Sequence, residues 1–100
     1  MIRGTTPTHR FTLPIDTGLL RCVRIIYAQN DEVIFIKDTG DCTLEENTIA
    51  VTLTQEETFM IDCHKYLQIQ IRALTLNDEA LASQVLRVEV EKCLDSEVIV

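Results

Sequence analysis

Tyr66-Leu67-Gln68-Ile69-Gln70-Ile71-Arg72-Ala73 and Gln84-Val85-Leu86-Arg87-Val88-Glu89-Val90-Glu91-Lys92 each alternate apolar and polar residues along the chain. In the first stretch Leu67, Ile69, Ile71 and Ala73 fall on one side, with Gln68, Gln70 and Arg72 on the other. In the second, Leu86, Val88 and Val90 oppose Arg87, Glu89 and Glu91. A period of two marks a strand with one buried and one wet face. The two stretches predict antiparallel strands, Tyr66–Leu74 and Ala82–Lys92, joined by a longer loop through Asn77-Asp78.

The same pattern recurs upstream. In Thr48–Leu53, Ile49, Val51 and Leu53 point inward, and Thr54-Gln55-Glu56-Glu57 then has the form of a helical capping box, with Glu57 reaching back to Thr54. Two acids in the first turn also suit the helix dipole. The expectation is one helical turn over Thr54–Phe59, with Phe59 tucked under the sheet. Cys22–Gln29 and Val33–Lys37 are rich in β-branched and aromatic residues and flank Asn30-Asp31-Glu32, which reads as a hairpin. Without glycine in that turn, a type I or bulged connection is expected. His9–Leu13 gives a further strand with Phe11 and Leu13 inward, closed by Pro14, and Ile15–Gly18 gives a turn. Asp38–Glu46 reads as an acidic loop with a short strand near Cys42–Leu44. Strand signals about ten residues apart predict an all-β chain, an immunoglobulin-like antiparallel β-sandwich of about six or seven strands with one short helical turn.

At 100 residues and 11.4 kDa the expectation is a single domain over residues 1–100, with 1–8 as a mobile or docked N-terminal arm and 94–100 as a C-terminal tail. Apolar residues at 46% and charged ones at 25% argue against disorder, and the short apolar runs argue against a spanning helix. No apolar leader follows Met1, so the cytoplasm is the expected compartment. A net charge of −7 repels nucleic-acid phosphate and anionic lipid, so neither is an expected partner.

Chemistry is thinly represented. His9 and His64 are the two histidines. Cys63 and His64 are neighbours, and neighbours on an extended strand point to opposite faces, which opposes a catalytic pair. Cys22, Cys42, Cys63 and Cys93 are spread without a Cys-x-x-Cys pair, and read as small apolar residues in a reducing compartment. The acids sit in pairs on turns. A calcium loop from Asp38, Asp41 and Glu45 lacks the EF-hand spacing. Three scattered glycines exclude a phosphate loop, and 5% aromatic residues furnish no stacking platform. No catalytic residue, metal site or cofactor is expected. Two segments carry more apolar residues than one small core needs. Val33-Ile34-Phe35-Ile36 is apolar on both faces, which suits a covered central strand or one that meets a partner, and Val98-Ile99-Val100 suits an added edge strand.

One combination exceeds generic β pattern. Phe11-Thr12-Leu13-Pro14, Ile25-Ile26-Tyr27-Ala28-Gln29-Asn30, Asp41-Cys42-Thr43-Leu44, Val51 through Thr58, Ile69-Gln70-Ile71-Arg72 and Ala82-Ser83 through Val88-Glu89-Val90 occur in that order. Together they resemble small proteins encoded in the structural gene blocks of tailed phages and prophages of Gram-positive bacteria. The layout is also similar to the N-terminal β-sandwich module of upper baseplate proteins. The resemblance implies a non-enzymatic phage or prophage structural or assembly protein of the tail or baseplate region. It would act through contacts with itself, as a homo-oligomer, or with other phage structural proteins, in the bacterial host cytoplasm and then in the virion. Val33, Ile34, Phe35, Ile36, Val98, Ile99 and Val100 are the expected contact residues. The alternative is a cytoplasmic β module binding a small ligand or metal through the acidic loop and Cys63-His64.

Overall fold

Alternation makes β6 (Leu67–Thr75) the organising strand: Leu67, Ile69 and Ile71 are buried on one side while Gln68, Gln70 and Arg72 face out. In the computed structural model, which describes residues 1–100, this strand pairs antiparallel with β2 (Leu20–Gln29), from Leu20↔Thr75 to Ala28↔Gln68. Beyond β2 lies β3 (Glu32–Asp38). The other edge of β6 is shared by β7 (Ala80–Ala82) and β8 (Leu86–Val88). A second sheet orders β1 (Thr8–Thr12), β5 (Thr48–Thr52) and β4 (Cys42–Glu45). Both sheets contribute to one core, where Val23, Ile25 and Tyr27 of β2 meet Ile49 and Val51 of β5 and the inner residues of β6. The fold is an all-β sandwich of two antiparallel sheets, with eight strands.

Local chemistry explains the connections. Thr54 and Glu57 close the expected capping box on the single-turn helix α1 (Gln55–Phe59), with the Thr54 amide donating to Glu57 Oε1 at 2.9 Å and the Glu57 amide donating to Thr54 Oγ1 at 3.1 Å. Asp16 caps a 3-10 turn at Thr17–Leu19 by accepting from the Gly18 amide at 2.7 Å.

Several expectations need correction. Gln29 pairs with Glu32, so the β2–β3 turn contains only Asn30 and Asp31, at φ 51° and 63°. That is the doubly positive geometry of a tight primed turn, achieved without glycine because Asn and Asp tolerate the left-handed region. Gln68 braces it, accepting from the Asp31 amide at 2.8 Å and donating to Asp31 Oδ1 at 3.0 Å. Val33–Ile36 is not central, because β3 is the edge of its sheet. The expected strand Ala82–Lys92 is broken: the Ser83 amide donates to Ile71 O at 2.8 Å and Ser83 Oγ accepts from the Ile71 amide at 3.0 Å, which ends β7 before β8 begins. Leu86 lies opposite Ile69 yet is 44% exposed, on a short edge strand of the five-stranded sheet that faces a sheet of only three. Phe59 does not sit under the sheet. Its ring lies on the N-terminal arm, with the Arg3 guanidinium 5.6 Å from its centroid, and Thr58 and Ile61 take the buried positions instead.

The arm is docked. The Arg3 amide donates to Glu91 O at 3.1 Å, the Glu91 amide donates to Met1 O at 2.6 Å, and the Gly4 amide donates to Thr58 Oγ1 at 2.9 Å. No helix is long and apolar enough to cross a membrane.

Candidate functional site

The expected contact residues lie on an edge and a tail. On β3, Ile36 opposes Ile26 and Val33 opposes Ala28, so these four side chains share the outer face of the larger sheet. Val33 is 59% exposed and Ile36 42%. Ile34 is the extra residue where the β2–β3 register shifts; it and Phe35 pack partly against the core, and Phe35 stacks on Tyr27 at 4.8 Å between centroids. A bulge and an inward charge are devices that limit indiscriminate pairing of an edge strand. Lys37 is that charge. It is buried, and its Nζ meets Glu57 Oε2 at 2.7 Å.

The tail forms no strand. Its Ile99 amide donates to Gln55 Oε1 at 2.8 Å and its carbonyl accepts from Gln55 Nε2 at 2.9 Å, leaving the Ile99 and Val100 side chains exposed. Helix α1 therefore touches β3 at Lys37, next to the expected contact segment, through Glu57, and the tail through Gln55.

Beneath β3 is a polar group that hydropathy gave no means of finding. His9 Nδ1 and the Tyr27 hydroxyl are 2.8 Å apart, and Tyr27 is fully buried. Burial lowers the His9 pKa, with the positive Met1 amino group a second cause. Burial also raises Tyr27, helped by the negative potential of Cys42 and Glu57. For Glu57, burial acts upward, but the bonds from Lys37 and Thr54 outweigh it and the net shift is downward. Burial raises the Cys42 thiol, with Asp41 adding to it. His9 pairs with Tyr27, Glu57 with Lys37, and Cys42 Sγ donates to Asp38 O at 3.3 Å, and satisfied polar pairs of this kind rigidify a core.

Two of the three acids whose spacing argued against a calcium loop are otherwise engaged. Asp41 Oδ2 accepts from the Asp38 amide at 3.0 Å, and Asp38 Oδ1 lies 3.6 Å from Arg24. At Asp62-Cys63-His64 the rule that sequence neighbours point to opposite faces does not hold. The segment is a turn, and one ligating atom from each of the three residues lies within 4.8 Å of the others. Asp62 Oδ1 accepts from the His64 amide at 2.8 Å, which curls the backbone and puts neighbours on one side.

Two antiparallel sheets over one core, with polar groups paired inside and apolar side chains on one edge, define a β-sandwich module. No protein-family model, curated protein or solved structure matches this chain.

Proposed function

We propose that this chain is a non-enzymatic structural or assembly protein of a phage or prophage, acting in the tail or baseplate region by self-association through the outer face at β3. The observation that supports it most directly is the apolar group Ile26, Ala28, Val33 and Ile36 on the outer face of β2 and the edge strand β3. The phage setting rests on the ordered motifs from Phe11-Thr12-Leu13-Pro14 to Val88-Glu89-Val90. The Ile34 bulge twists the edge away from simple strand addition, so contact runs face to face, and a two-fold placement buries the same four residues of both copies. The tail, held on α1 by Gln55 with Ile99 and Val100 exposed, offers a second apolar surface.

Size exclusion with light scattering tests the proposal on the full chain. The expected mass is a multiple of 11.4 kDa that falls to one chain in the Val33→Lys/Ile36→Lys variant. A wild-type mass of one chain throughout a concentration series, or an oligomer that the two lysines leave intact, overturns it.

A further inference from the structure

We propose that Asp62, Cys63 and His64 form a zinc-binding site, independent of the assembly surface. The three residues offer carboxylate, thiolate and imidazole, the donor types zinc takes at about 2.0 to 2.3 Å. In a tetrahedral site those bond lengths separate ligand atoms by about 3.3 to 3.8 Å, and here they already lie within 4.8 Å of one another. Rotamer adjustment closes the difference.

The turn is built rather than incidental. Gln29, a buried residue at the end of β2, donates through Nε2 to Asp62 O at 2.7 Å and to Lys65 O at 3.3 Å, and accepts from the Asp62 amide at 2.8 Å. One side chain thus fixes both ends of the ligand turn, as outer residues do around metal centres. The bond from the His64 amide occupies Asp62 Oδ1, and the second carboxylate oxygen is left to serve as the ligand. All three residues line a recess of about 280 Å³ in which Arg3 is the cation, and Cys63 and His64 also border one of about 320 Å³ that holds Glu89, Glu91 and Lys65, so a fourth position would have room for a small donor. Three protein donors and an open fourth position is the layout of an accessible site, filled by water or by a donor from a bound molecule. Binding transfers the Cys63 thiol proton to solvent, with no change in oxidation state.

The test is titration of the reduced, metal-free full chain with Co²⁺, which reports coordination spectroscopically where Zn²⁺ is silent. One equivalent is expected to give a thiolate-to-cobalt charge-transfer band and a tetrahedral visible band, both erased by added Zn²⁺. Cys63→Ser is expected to abolish the charge-transfer band and His64→Ala to weaken binding at least ten-fold. Both side chains reach solvent, and circular dichroism checks that the variants fold. Absence of the band in the wild type, or a band of unchanged intensity in Cys63→Ser, which assigns it to Cys22, Cys42 or Cys93, overturns the proposal.

Discussion

Glu57 carries two duties at once, and separating them tests the account of how α1 is fastened to β3. Its Oε1 caps the helix and its Oε2 pairs with Lys37 at 2.7 Å, at a site where both side chains are largely buried. Glu57→Gln keeps an acceptor for the Thr54 amide but removes the charge. A charge-assisted hydrogen bond contributes about 1.5 to 3 kcal/mol, so a loss of about 2 kcal/mol is expected. At this chain length that lowers the melting midpoint by about 8 to 16 °C. Glu57→Ala also removes the cap and should cost about 1 kcal/mol more. In a double-mutant cycle with Lys37→Met, read by urea denaturation, the coupling should be about 1 to 2 kcal/mol, because the double variant leaves neither charge stranded. The pH dependence follows from the downward shift. A carboxylate depressed below its ordinary 4.5 stabilises the fold fully above that value, and the contribution disappears as pH falls through the folded pKa. Glu57→Gln should flatten stability against pH below about 4.5. Losses at Lys37 and Glu57 that simply add within about 0.5 kcal/mol would refute the pairing.

His9 titrates in a different window. Its folded pKa is below the ordinary 6.5, so the unfolded chain binds the proton more readily and stability should fall as pH drops from 6.5 toward the folded value, by no more than about 1.4 kcal/mol per pH unit. Urea midpoints at several pH values should show this slope, and His9→Gln should remove it. At Gly4 the backbone has φ +77°, and an added Cβ would lie 2.5 Å from Phe59 Cζ. Gly4→Ala should therefore release the arm at a cost of about 1 to 2 kcal/mol, with faster hydrogen exchange at the Arg3 and Glu91 amides; unchanged exchange would contradict the docking.

Much of the sandwich was legible because one face of each strand is buried. Leu67, Ile69, Ile71, Ile49, Val51 and Leu53 all went inward as their alternation required, and the Thr54–Glu57 cap is a local pattern needing no partner. What stayed hidden depends on neighbours. Whether Val33–Ile36 is central or edge is decided by pairing order, and Leu86 is exposed because the opposing sheet is narrower. The Asn30-Asp31 turn defied a glycine rule that two left-handed residues can satisfy. The Asp62–His64 cluster was obscured because the way a loop curls its side chains together is not written in its composition, and its clamp, Gln29, lies 33 positions upstream of Asp62.

The seam made by the N-terminal arm bears on how the chain acquires its final form. Met1 and Arg3 are tied to Glu89 and Glu91, residues about as far away in sequence as the chain allows, with separations reaching 88. On the ribosome the arm at Met1 and Arg3 must stay unzipped until Glu89 and Glu91 have emerged, since closing so long a loop cannot precede the strands between. The seam is therefore a late fastening, with the Arg3 amide and the Met1 carbonyl lacking their partner until Glu91 is out of the ribosome.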